Sequence, residues 1–151
     1  MAKILFINPT VREEDVPRHI PYGIALLSAI AMKEGHLVQV YDANAWRLPI
    51  ETISEVCQAD EWDAICIGGL TTSYNYIKQA CKLIRKASPK ATIIAGGGFL
   101  TSMPHEIFSW VPELDVGCIG ESFVTFPEVL KSLDNNDKDF SKILGVIYRD
   151  T

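Results

Sequence analysis

At 151 residues and 48% apolar content, the chain is long enough for one domain with its own core and too hydrophobic to stay disordered. A formal net charge of −5 argues against the basic face that nucleic acid requires, and no apolar stretch reaches the length of a membrane span. The opening "MAKILFINP" lacks the basic region and long apolar stretch of a secretory leader, which predicts a cytoplasmic protein with neither a nucleic-acid nor a membrane partner.

The predicted elements alternate. "KILFINP" (residues 3–9) is an apolar run stopped by Pro9 and reads as a strand. After "PYG", Ile24, Leu27 and Ala31 recur at helical spacing, and "KEGH" ends that helix with Gly35 as its left-handed residue. "LVQVYDA" (37–43) is a second strand, and a short helix is predicted over 50–58. "DAICIGGL" (63–70) is the third strand. Ile77, Ala80, Cys81 and Ile84 then fill the i, i+3, i+4, i+7 template of an amphipathic helix that "KASPK" closes. "ATIIAGG" (91–97) and "DVGCIGE" (115–121) are the next strands, with a short helix over 105–110 between them. Phe126, Val129, Leu130 and Leu133 mark a last helix, followed by the polar loop "DNNDKD" (134–139) and the strand "ILGVIYR" (143–149).

The first, third and fourth runs are apolar at both alternating positions, as strands covered on both faces are. The pattern predicts a single α/β domain over 1–151. It is a doubly wound, mostly parallel sheet of five or six strands, with helices on both faces and right-handed crossovers. The four cysteines form no C-x-x-C pair, so a zinc knuckle or redox dithiol is not indicated. Cys66 and Cys118 fall in strand runs and Cys81 on an apolar helical face, where cysteine acts as a small hydrophobe.

Ligands of open α/β sheets sit beyond the carboxyl ends of the strands. The segments leaving those ends are "NPTVREEDVPRHIPYG" (8–23), "GGLTTSYN" (68–75), "GGGFLTSMP" (96–104) and "GESFVTFP" (120–127), rich in glycine and hydroxyl residues. Gly68 with Gly69, and Gly96 with Gly97, end two neighbouring runs. Their missing Cβ atoms either open a slot for a slender ligand or only permit tight strand-to-helix turns. Thr71, Thr72, Ser73, Thr101 and Ser102 can donate into such a slot or cap the helices that follow. No G-x-G-x-x-G or Walker A sequence is present. "NPTVREED" carries three acids and one arginine, a poor phosphate cradle. A response-regulator receiver lacks its acidic pair and phosphorylatable Asp in "FINP" and "GGLT". No Ser-His-Asp order or argued carboxylate pair supplies a complete active site.

Six segments taken in order resemble the cobalamin-binding domain at the front of many radical SAM enzymes. They are "ILFINP", "PYGIALLSAIAMKEGHLVQVYDAN", "DAICIGGLTTSY", "IIAGGGFLTSMPHE", "VGCIGESFVTFPEVL" and "GVIYRD", nearly the whole chain. The chain looks most like the anaerobic magnesium-protoporphyrin IX monomethyl ester cyclases and the cobalamin-dependent radical SAM methylases.

The resemblance implies a flavodoxin-like (Rossmann-like) domain with the corrin ring over the carboxyl rim. The nucleotide tail would lie in a slot lined by Gly68, Gly69, Gly96 and Gly97. It extends the expected site to Asn8, Thr10, Leu70, Thr71, Ser73, Gly98, Phe99, Gly120 and Glu121. Related domains carry Asp-x-His-x-x-Gly after the first strand, whose histidine ligates cobalt. "NPTVREED" has none, so no lower-face histidine is expected from that stretch. Many relatives also have serine where this chain has Gly68, and proline-histidine at Gly98-Phe99. The C-x-x-x-C-x-x-C motif of radical SAM chemistry is missing, so a 4Fe-4S cluster and S-adenosylmethionine are expected only in a partner C-terminal radical SAM domain. Tyr22, Tyr74 and Phe99 can pack on a corrin or seal the core, and His19 and His105 can face the ligand or solvent. The alternative reading is a flavodoxin-like small-molecule or regulatory module that binds no cobalamin.

Overall fold

The structure is a computed structural model. It describes residues 1–149 apart from 13, 15, 18, 19 and 136–138, so the question about His19 lies outside the described residues. The elements run β1 (Lys3–Asn8), α1 (Tyr22–Lys33), β2 (Leu37–Asp42), α2 (Ala43–Trp46), α3 (Thr52–Gln58), β3 (Ala64–Gly68), α4 (Tyr74–Ala87), β4 (Thr92–Gly96), α5 (Gly98–Thr101), α6 (Pro104–Trp110), β5 (Val116–Cys118), α7 (Thr125–Asp134) and β6 (Val146–Tyr148). A single 3-10 turn, Thr71–Ser73, precedes α4.

The sheet has six strands in the order β2-β1-β3-β4-β5-β6. All pair parallel except β6, which runs antiparallel to β5. This is the mostly parallel, doubly wound sheet that the apolar runs predict. The chain steps outward from β1 to β2, then back across to β3. The reversal leaves a crevice above the carboxyl ends of β1 and β3, where such sheets bind ligands.

Strand alternation divides the interior into two cores. Leu5, Ile7, Ile65, Ile67, Ile93 and Ala95 face α3, α4 and α6. There Ile77, Ala80, Cys81 and Ile84 of α4 are fully buried on one helical stripe. Ile4, Phe6, Ala64, Cys66, Ile94, Val116 and Cys118 face α1 and α7, meeting Ala31, Phe126, Val129 and Leu130. Each large side chain removed from water this way contributes roughly 1.5–3 kcal/mol.

Helix α1 stops as its sequence indicates. Gly35 takes φ +90°, and the His36 and Gly35 amides donate to the Ala31 and Met32 carbonyls, each at 3.0 Å, in a Schellman arrangement. The four-residue helices α2 and α5 were not expected from periodicity. Helix α2 forms because Asp42 caps it, accepting from the Ala45 amide at 2.8 Å. Helix α5 starts directly at Gly98, after Gly97 turns the chain at φ +78°.

Candidate functional site

On the face covered by α1 and α7, successive inward positions are Phe6 and Asn8 on β1, Cys66 and Gly68 on β3, and Ile94 and Gly96 on β4. Cys118 ends β5 on the same face. Gly68 and Gly96 are paired in the parallel register. Strands β3 and β4 thus lose their side chains at the carboxyl rim while the helices keep their distance. A cavity of about 320 Å³ remains between the strand ends, the first turns of α1 and the start of α7. Pro21, Tyr22, Ile24 and Leu27 form its α1 wall, and Ser122 and Phe126 close it beside β5. Among the described residues, no side chain plugs it.

The four slot glycines do different jobs. An ideal Cβ on Gly96 would meet nothing nearer than the Cys118 carbonyl at 4.0 Å, so this position is open space. A Cβ on Gly68 would stand 2.4 Å from the Gly96 carbonyl oxygen. One on Gly97, at φ +78°, would stand 2.9 Å from the Gly69 carbonyl oxygen. These two glycines let backbones approach, as a tight-turn reading requires. The Cβ position of Gly69 lies 3.5 Å from Pro9 and 3.7 Å from the Ser73 hydroxyl, away from the opening. Of the four, Gly96 alone leaves open space where its side chain would stand.

The remaining expected residues are dispersed. Asn8 lines the cavity, and its amide donates to Asp42 Oδ1 at 2.8 Å. Thr10 is turned to the Ala43 carbonyl at 3.4 Å. Leu70, Thr71, Gly98, Gly120 and Glu121 stand on the loops beyond the strand ends, outside the cavity wall, with Leu70 and Glu121 exposed. Ser73 is buried beside α4 with its hydroxyl unpartnered. Phe99 is fully buried in the core on the α4 face, stacked on Tyr74, so its ring is sealed from any ligand on the rim. His105 is exposed on α6 and does not reach the cavity.

Sequence reasoning missed most of the α1 wall, together with Ser122 and Phe126. Ile24, Leu27 and Phe126 carry ordinary core periodicity. The available signal was Gly23, a glycine in the first helical turn with nothing within 4 Å of its Cβ position.

Backbone ties hold the rim. The Phe99 amide donates to the Gly69 carbonyl at 2.7 Å, joining the loops after β3 and β4. The Gly120 amide donates to Thr101 Oγ1 at 2.9 Å, joining those after β4 and β5. Cys66 and Cys118 stay protonated, because burial pushes the first thiol well up and the second up to about 12. Around the opening the loops expose Ile20, Tyr22, Leu70, Phe123 and Val124 to solvent, an apolar rim.

Residues 10–130 match the sequence profile described as the B12 binding domain. An uncharacterized methyltransferase of Pyrococcus horikoshii is 24% identical over 155 residues, covering 99% of this chain and 33% of that protein. The cobalamin-dependent radical SAM methyltransferase TokK of Streptomyces tokunonensis is 23% identical over 131 residues, covering 86% of this chain and 19% of that protein. Among solved structures, the radical S-adenosylmethionine methyltransferase TsrM of Kitasatospora setae, with cobalamin and a 4Fe-4S cluster bound, superposes with a TM-score of 0.86. That match has 18% identity and covers 99% of this chain and 27% of the other. The cobalamin-dependent radical enzyme OxsB, with aqua-cobalamin and S-adenosylmethionine bound, gives 0.81 at 19% identity, covering 99% and 21%. The chain therefore spans a third or less of each of these relatives.

Proposed function

The chain belongs to the B12 binding domain family, and from that premise we infer that the cavity is the seat of the cofactor's nucleotide tail, with the corrin ring lying across the carboxyl rim. The observation that carries this reading is the opening at Gly96, a glycine whose missing side chain leaves space rather than admitting another backbone.

The dimensions and chemistry of the site fit the group. A volume of about 320 Å³ is at the lower end for ligand pockets, enough for a heterocyclic base and part of its sugar but not for a tetrapyrrole. The ring then has to lie outside the slot. The exposed Ile20, Tyr22, Leu70 and Val124 give it an apolar bed there, whose burial stabilises the complex.

Cobalamin, when bound, supplies cobalt-centred alkyl transfer that no side chain can perform. The chain's own residues grip, orient and shield. Phe6, Ile94 and Phe126 exclude water from the slot. The Gly69–Phe99 and Gly120–Thr101 hydrogen bonds keep the loop ends at fixed separation before the ligand arrives, which lowers the ordering cost of binding.

The domain works inside a larger radical SAM protein, whose separate catalytic domain holds the 4Fe-4S cluster and S-adenosylmethionine. The names of both curated relatives favour methyl transfer over oxidative cyclisation. Titrating the purified chain with hydroxocobalamin tests the reading. The expected result is saturable binding at one site, with a shifted visible spectrum. A spectrum unchanged at every ratio would remove it.

A further inference from the structure

At its deep end the slot is walled by carbon and sulfur. Phe6, Cys66, Ile94, Cys118 and Phe126 line it and are all buried. Asn8, Gly68 and Gly96 follow two residues later on the same face, nearer the opening. Two polar side chains of the wall, Asn8 and Ser122, are turned to the chain itself. The Asn8 amide donates to Asp42 at 2.8 Å, and the Ser122 hydroxyl donates to the Gly120 carbonyl at 3.4 Å. Position 68 cannot supply a hydroxyl without displacing β4, because a Cβ there would stand 2.4 Å from the Gly96 carbonyl oxygen. A thiol is only a weak donor and a weak acceptor. Among the described residues, the side chains deepest in the slot therefore offer dispersion contacts and no strong hydrogen bond.

We propose that this slot selects the lower base of its cobamide by apolar shape, accepting a methylated benzimidazole and disfavouring a purine such as adenine. The proposal rests on reading the slot as the tail site. An adenine entering it gives up water at its exocyclic amine and ring nitrogens, and the side chains of the floor return nothing for those bonds. The two methyl groups of dimethylbenzimidazole gain burial instead. A buried polar group left unmatched weakens binding by roughly tenfold to a hundredfold.

The test compares three corrinoids on the purified chain by equilibrium dialysis read in the visible spectrum. They are the dimethylbenzimidazolyl cobamide, the adeninyl cobamide, and cobinamide, which has the ring and no base. All are used in their dicyano forms, so that neither base must first leave cobalt. The benzimidazole form is expected to bind at least tenfold more tightly than the adenine form. If the two bind equally, or adenine more tightly, while both exceed cobinamide, the selectivity is overturned and the tail site stands. If cobinamide matches both, or nothing binds, the tail site falls and the selectivity with it. Cys118→Ser, which puts a hydroxyl on the floor, is expected to narrow the ratio. An unchanged ratio in a folded variant would overturn the placement of the base.

Discussion

Gly68 lies so close to Gly96 that a methyl group on it would stand 2.4 Å from the Gly96 carbonyl oxygen and 2.9 Å from its carbon. The contact is backbone, so no rotamer change relieves it. Gly68→Ala is expected to destabilise the fold by about 1–3 kcal/mol, the usual range for overpacking, and Gly68→Ser by at least as much. Urea midpoints of the purified variants check this. A parental midpoint for Gly68→Ala would mean that the two strand ends stand further apart.

Gly96 behaves oppositely. Its missing Cβ faces open space, with the Cys118 carbonyl at 4.0 Å as its nearest neighbour. Gly96→Val should fold with a midpoint within about 0.5 kcal/mol of the parent, as substitutions that break no packed contact do. The branched side chain then stands in the slot. Affinity for hydroxocobalamin is expected to fall roughly tenfold or more, as overpacking of one site does. Parental affinity in a folded Gly96→Val would put the tail elsewhere.

The contrast between these glycines marks how far the sequence could be read. Each strand shows as a short apolar run, and each long helix as a periodic stripe such as Ile77, Ala80, Cys81 and Ile84. Burial on two faces therefore follows from patterning alone. Helices α2 and α5 span too few residues to show a period. The reversed direction of β6 has no signature in "VIY", because pairing is set by where the chain returns after α7. In the slot, a glycine that opens space and one that admits a neighbouring backbone are the same letter. Only the strand register separates Gly96 from Gly68. Phe99 enters the expected site through the resemblance, as an aromatic that can pack on a corrin or seal the core, and α5 carries its ring into the core on the α4 face.

Thr101 and Gly120 couple the loops after β4 and β5 through one hydrogen bond of 2.9 Å at an exposed position. Thr101→Val keeps the shape and removes the acceptor. It is expected to cost about 0.5–1.5 kcal/mol of stability. Its larger effect falls on the ligand, because a rim no longer held before binding must be ordered during it. The cobalamin dissociation rate should rise by several fold, measured by chasing bound corrin with an excess of a corrin-binding competitor. An unchanged rate with the expected stability loss would show that this tie serves only the fold.

The buried thiols make stability depend on alkaline pH. Burial raises Cys81 and Cys118 from 9.0 to about 12. At Cys81 the neighbouring Glu113 adds to that rise and Arg85 opposes it. A group whose folded value lies above its unfolded one stabilises fully below the unfolded value and loses that contribution as pH rises toward the folded one. The folded chain keeps these protons between pH 9 and 12 while the unfolded chain releases them. Urea midpoints should be level from neutral pH to the edge of that window and then fall. Each thiol contributes up to about 1.4 kcal/mol per pH unit within it. Other groups change charge at alkaline pH as well, so the diagnostic is a difference. Cys81→Ala should start less stable, from the cavity it leaves, and decline less steeply than the parent. Parallel curves for parent and variant would show that the Cys81 thiol ionises in the folded chain as readily as in the unfolded one.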